Sequence, residues 1–371
     1  MLKLRNESLD WALSHVENYG DTDIFPIPFE YKAIRYIWNE KVKEIENGLS
    51  LKEYLRSQDI LKWSVRDFRK SLTPKHKYGF RLSTQLDPLD NLVYNALVYE
   101  IGEDIESKRI PINKNVVFSN RFDPNKEGRM FDSSINYSSF LNHCEKKVDE
   151  FFGDDEIKFV VLADIADFFP RIYLHPLENA LSACTIKSNH ANAIKKLLNN
   201  WNYSISYGIP VGQDASRLLA ELTLNDIDEG LLSEGIDFCR YVDDFRLFCK
   251  SEKDAYQQLA LLAEMLFENH GLTLQQHKTR IVSVEDFRDG HLKTEDSIVV
   301  ERLSNEFNEI LNEIGLENPY EDINYDFLPD EIKEEINSLN LEAILLEQIN
   351  ADTTDSKVVN FVLRRMAQTN N

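Results

Sequence analysis

Four cysteines in 371 residues, Cys144, Cys184, Cys239 and Cys249, show no CxxC spacing. That argues against a zinc site and against a disulfide framework, and points to a reducing cytoplasm. No uncharged apolar run approaches the ~18 residues that a membrane-spanning helix needs, so no membrane partner is expected. The first residues, MLKLRNESLDWALSHVENYG, lack an apolar core segment and do not read as a signal peptide. Internal repeats, low-complexity tracts and Gly/Ser linkers are also missing, which excludes solenoids and modules on loose tethers.

Apolar residues make up 42% of the chain, with 21 Phe and 15 Tyr. That is ample core material for two or three structural units. Cations are scarce, 42 against 64 anions, for a net charge of −22. The distribution is uneven. Lys62, Arg66, Arg69, Lys70, Lys75, Lys77 and Arg81 face only Asp67, a local net of +6. Residues 281–371 carry 7 cations and 21 anions, a net of −14. The basic stretch fits a phosphate-binding track. The acidic tail reads either as solvated helices or as a surface that repels or mimics nucleic acid.

Residues 1–60 read as helical, with an amphipathic run from Glu30 to about Glu46. Asp87-Pro88 reads as a capped start for a helix over 87–110. Residues 116–122 read as a short strand and 123–135 as a loop. IKFVVLADI, residues 157–165, is a β-branched apolar run that reads as a buried strand. Helices are predicted over 177–200, 213–234 and 254–270, the last closed by Gly271. IDFCRYVDDFRLFCK, residues 236–250, has the alternation of a β-hairpin with its turn at two aspartates. A short strand or turn is expected over 272–284, and three or four helices over 297–371.

The chemistry concentrates in carboxylates at strand ends. Asp164 closes the buried strand, and Asp243-Asp244 sits at the hairpin tip. Three converging carboxylates repel one another, and two divalent cations resolve that repulsion. Such a pair of ions can activate an attacking hydroxyl and stabilise a leaving phosphate. Taken alone, an Asp-Asp pair is equally a turn signal.

The pair is not alone. Asp164-Ile165-Ala166-Asp167-Phe168-Phe169-Pro170-Arg171-Ile172 resembles the first palm motif of the reverse transcriptases, and Gly208-Ile209-Pro210-Val211-Gly212 with Ser216 resembles the second. Tyr241-Val242-Asp243-Asp244 resembles the third, and the segment Leu272–Thr279 that carries Lys278 resembles the fourth. All four stand in the family's order across residues 80–285. The resemblance implies an α+β fold: a right-hand polymerase palm and fingers, an antiparallel sheet with packed helices, then an all-helical C-terminal region. The implied divisions are a helical extension at 1–60, fingers at 61–156, palm at 157–285 and an acidic, thumb-like region at 286–371.

The same resemblance implies roles. Asp164, Asp243 and Asp244, with the backbone of Ile165, would hold two Mg²⁺ ions, or Mn²⁺ in their place. Asp167, Phe168 and Gly212 would line the dNTP site, and Tyr241 would lie near the primer end. Phe169 matches a steric gate against a ribose 2′-hydroxyl, although a core role is also open. Lys278 matches a general acid for pyrophosphate, with a surface lysine as the other reading. Arg81 and Arg121 resemble finger arginines beside the incoming nucleotide, with a structural ion pair as the other reading for each.

Pro210-Val211-Gly212 departs from the family's usual Pro-Gln-Gly. The continuation Gln213–Glu221, the run Phe169–His175 and Ser119-Asn120-Arg121-Phe122 resemble the bacterial abortive-infection and defence-associated branch, related to the retron enzymes. The residues after the palm show neither a Cys/His-rich endonuclease nor an RNase H carboxylate set. The implied function is a cytoplasmic antiviral RNA-directed DNA polymerase. Its partners would be dNTPs, an RNA template (a dedicated non-coding RNA is one form it could take), a DNA product, and a protein partner or a second copy. A retron-type enzyme, template-independent or protein-primed synthesis, an RNA polymerase and a silent RNA-binding scaffold are the competing readings.

Overall fold

The computed structural model describes residues 1–292 apart from 23, 26, 46, 47, 77, 78, 151–155, 203 and 204, together with 307, 310, 328–350 and 356–369. The chain divides into two compact units, residues 1–73 with 82–284 and residues 74–81 with 285–371.

The first unit begins with α1 (Asn6–Tyr19), α2 (Glu30–Ile37) and α3 (Leu51–Ser57). The predicted run to Glu46 stops as a helix at Ile37; Trp38, next in sequence, is 1% exposed and its indole donates to Asp10 at 2.8 Å. The basic stretch forms a two-stranded sheet of its own, β1 (Arg69–His76) with β2 (Gly79–Gln85). Lys77 lies outside the described residues.

α4 (Pro88–Lys108) runs through the middle of this unit and is buried along most of its length. It starts where the sequence places it: the Asp87 carboxylate accepts the Leu89 N–H at 2.9 Å, and Pro88 occupies the first turn, where no donor is needed. α5 (Tyr137–Glu150) follows a long irregular stretch. The strand predicted over 116–122 reduces to one parallel bridge, Val117 to Arg240, and one antiparallel bridge, Phe122 to Phe131. Asn120 between them has φ 47°, which breaks any regular strand.

A four-stranded antiparallel sheet carries the candidate chemistry. Its order is β4 (Phe238–Tyr241), β5 (Asp244–Cys249), β3 (Phe159–Asp164), β6 (Arg280–Ser283). β3 lies inside this sheet with four of its six residues buried, as its apolar run requires. α6 (Phe168–Arg171) follows β3 directly. The helix predicted over 177–200 is two, α7 (Leu174–Cys184) and α8 (Ser188–Asn202), parted at Thr185, which is extended and donates its hydroxyl to Asp104. The helix predicted over 213–234 is α9 (Asp214–Thr223) and α10 (Asn225–Ser233), parted at Leu224. α11 (Glu252–His270) ends at Gly271 with φ 63°, a left-handed cap that glycine adopts without strain.

The second unit contains helices Asp330–Ser338, Leu341–Asn350 and Ser356–Thr369. Ile336, Leu341, Val358 and Val362 form its apolar core with Phe307. Of the helices predicted over 297–371, residues 297–306 and 311–327 lie outside the described residues. No helix among the described residues is long and apolar enough to cross a membrane.

Candidate active site

Strand register brings the carboxylates together. β3 and β5 pair so that Asp164 stands opposite Asp244, and β4 and β5 pair so that Tyr241 also stands opposite Asp244. The turn between β4 and β5 is therefore Val242-Asp243. Ile165 N–H donates to the Asp243 carbonyl at 3.1 Å, tying the turn to the end of β3. The other side of β3 is tied to the segment before β6: Gln275 N–H reaches the Asp164 carbonyl at 2.7 Å, and Ala166 N–H reaches the Thr273 carbonyl at 2.8 Å. Lys278 Nζ lies 2.8 Å from Asp164 Oδ2. All four sequence motifs thus belong to one folded unit, and the first, third and fourth meet at this spot.

The three aspartates are not equivalent. Desolvation and the neighbouring Asp164 charge push the Asp243 carboxyl up to about 7. Asp244 is held in a two-pronged pair by Arg246, whose Nη2 lies 2.9 Å from Oδ2. Asp164 and Asp244 both act on Asp243 as like charges, and Asp244 is also paired with a buried arginine two residues along its own strand. Among the described residues no group of three or more His, Cys, Asp or Glu side chains could hold a metal ion by itself. Two carboxylates nonetheless suit Mg²⁺, which keeps waters and takes further oxygens from substrate phosphates. Asp243, half-buried beside a like charge, fits such a cation well.

The other predicted residues divide. Asp167 is exposed, has φ 47° and stands at the N-terminus of α6. Phe168 is 3% exposed, so its side chain belongs to the core and only its backbone is placed to line a nucleotide. Phe169 is half-buried and meets Phe168 edge-on at 5.5 Å. Its carbonyl accepts Ile209 N–H at 3.1 Å, which sets the second motif against the first. Gly208 and Gly212 have φ 92° and 111°, a conformation that favours glycine. Ser216 is buried and bonded to the Tyr94 hydroxyl at 3.0 Å. Tyr241 packs edge-on against Tyr137, ring centres 5.3 Å apart. Arg81 is exposed and belongs to the second unit.

Arg121 is the other correction. It is 2% exposed, its guanidinium faces Glu106 at 2.9 Å, and it donates to the Ile110 carbonyl at 2.7 Å. Burial and the neighbouring Arg109 charge push it down to about 10. It is a structural ion-pair partner and does not reach a nucleotide.

Sequence reasoning missed the charges beneath the turn. Arg240, fully buried, donates to Asp228 through Nε and Nη2 at 2.7 Å each, and to Glu221 at 2.7 Å. Arg109 donates to Glu221 at 3.0 Å. Burial alone would raise the Glu221 carboxyl, but Arg240 and Arg109 together hold it below the usual range. The available signal was Arg240, a cation between the apolar residues Phe238, Cys239 and Tyr241 of a buried strand.

The reverse transcriptase (RNA-dependent DNA polymerase) family model matches residues 115–322, more than half of the chain. The chain belongs to that family, and the observed sheet, helices and helical C-terminal residues agree with its palm-and-fingers architecture. No curated protein matches the sequence. Among solved structures, telomerase from Candida albicans in complex with a TWJ fragment of telomeric RNA is similar at 12% identity and TM-score 0.43, over 92% of this chain and 65% of that one. Apo telomerase from Candida tropicalis is similar at 11% identity and TM-score 0.41, over 82% of this chain and 63% of that one. This chain thus spans less than two thirds of the length of those proteins.

Proposed function

We propose that this chain is an RNA-directed DNA polymerase that adds dNTPs to a 3′-hydroxyl. The observation that carries this reading is the strand register that sets Asp164 opposite Asp244, with Asp243 in the adjoining turn tied to Ile165 and Lys278 on Asp164. Asp164 and Asp243, with the Ile165 backbone and Asp244 assisting, would hold two divalent ions, Mg²⁺ or Mn²⁺. Such ions activate the 3′-hydroxyl and stabilise the charge of departing pyrophosphate. The chain's own groups do the rest. Asp167 and Gly212 border the nucleotide, Phe169 discriminates against a ribose 2′-hydroxyl, and Tyr241 supports the primer end. Lys278 supplies the proton that pyrophosphate takes up as it leaves. The working divisions are fingers over 61–156, palm over 157–285 and an acidic thumb-like region over 286–371.

The finer reading is a cytoplasmic enzyme of bacterial antiphage defence. It is supported by Pro210-Val211-Gly212 in place of the usual amide motif and by the net −14 of residues 281–371, which disfavours an ordinary basic thumb. The test is polymerisation by purified protein with Mg²⁺ and labelled dNTPs, with and without co-purifying RNA. DNA made only with RNA supports templated synthesis. DNA made without RNA, particularly if attached to the protein, replaces that reading with template-independent or protein-primed synthesis. No product under either condition overturns the polymerase reading and leaves an RNA-binding scaffold.

A further inference from the structure

Val242 occupies the left-handed region, φ 57°, where a β-branched residue stays only if its surroundings hold it. Both of its backbone polar groups are held from within the core. Its N–H donates to Ser119 Oγ at 2.8 Å, and its carbonyl accepts from Arg240 Nη1 at 3.0 Å. Ser119 is fully buried and donates its own proton to Glu221 Oε1 at 2.6 Å. Glu221 Oε2 is bound in turn by Arg240 and Arg109. Arg109 also donates to the Ser119 carbonyl at 2.8 Å, which fixes where the serine sits. The chain Val242–Ser119–Glu221–Arg240–Val242 is a closed ring of hydrogen bonds around one strained residue.

We propose that Ser119 is a positioning residue for the metal-binding turn: it holds Val242 in the left-handed conformation that aims the next residue, Asp243, at Asp164. This rests on the polymerase reading above and names a part of the site that the four palm motifs leave out. Ser119 belongs to none of the groups that would meet substrate or metal. It acts through its hydroxyl, which accepts the Val242 N–H. Without that hydroxyl, the N–H and a Glu221 oxygen are deprived of their shared partner, and the turn is free to relax toward ordinary φ, carrying the Asp243 carboxylate away.

The test uses the full chain and Mn²⁺ as the probe, with binding followed by electron paramagnetic resonance and polymerisation measured separately. Ser119→Ala should weaken Mn²⁺ binding about 10-fold or more, the range typical when support behind a metal ligand is removed, and lower kcat similarly. KM for dNTP should stay within about twofold. Ser119→Thr, which keeps the hydroxyl, should restore Mn²⁺ affinity, and it carries the test if the alanine variant does not fold. Wild-type Mn²⁺ affinity in a folded Ser119→Ala protein, or weakened affinity in a folded Ser119→Thr protein, would overturn the proposal. Asp243→Asn separates the two readings: if that variant keeps Mn²⁺ affinity and synthesis, the polymerase assignment itself falls, whatever Ser119 does.

Discussion

Asp243 is the residue on which the site turns. Its carboxyl is half-buried and partly desolvated beside the like charge of Asp164, whereas Asp244 is paired with Arg246. A partly desolvated, poorly compensated carboxylate is unfavourable in the empty protein, and a divalent ion removes that penalty. Asp243→Asn should therefore leave the fold intact and remove synthesis, with a drop of roughly 10³-fold or more if several kcal/mol of charge stabilisation depend on the ion. Single-turnover incorporation measures this, and a near-normal rate would take the metal assignment away. Phe169 tests substrate choice at the same scale. It is half-buried against Phe168, so its ring has both a packed edge and a free one. Phe169→Ala should raise ribonucleotide incorporation relative to deoxynucleotide by about 10-fold or more, of the order that contact with a single added group provides. An unchanged ratio assigns the ring to the core alone.

At the scale of elements, the turn is built on a balanced buried ion network. Arg109, Arg121 and Arg240 face Glu106, Glu221 and Asp228. It joins the C-terminal end of α4, the irregular stretch at Ser119–Arg121, the helices α9 and α10, and β4. Breaking a buried pair by removing one partner typically destabilises by ~3–5 kcal/mol, because the remaining charge stays buried. The network thus makes the position of the turn depend on segments far apart in the chain. α4 itself offers a test of packing against propensity. Gly102 sits mid-helix, where alanine would ordinarily stabilise by ~1 kcal/mol. A Cβ there would run into the Phe122 ring. Gly102→Ala should instead lower stability by about 1–3 kcal/mol, the range for forced overpacking. The midpoint of urea unfolding reads the sign, and a raised midpoint would show that the ring moves aside freely.

For the molecule as a whole, charge placement decides more than net charge. For a chain of net −22, the proposed handling of nucleic acid requires concentrated cations, and the β1–β2 hairpin is where they concentrate. Replacing Lys70, Lys75 and Lys77 together with alanine should weaken nucleic-acid binding. It should also flatten the dependence of log K on log salt by about 0.7 for each phosphate of a single strand that is no longer neutralised. Filter binding across a salt series gives the slope, and an unchanged slope moves the phosphate track away from the hairpin.

Membership of the reverse transcriptase family was legible in linear order because its four motifs stand in sequence at strand ends and turns. β3 and the β4–β5 hairpin were likewise legible, since alternation and β-branching reflect local backbone geometry. So was the start of α4, set by Asp87 and Pro88 within a few residues of each other. Helix breaks at Thr185 and Leu224 were not, because each interrupts a continuous apolar pattern. Nor was the fate of individual charges. Arg121 looks like a nucleotide contact and is a buried ion-pair partner, while the pairing of Asp244 with Arg246 is announced by no motif. Ser119 looks like a loop serine, yet its hydroxyl meets the strained turn that carries Asp243. Residue type declares what a side chain can do. Which partner it meets depends on segments far apart in the chain arriving at one place, and only their packing decides that.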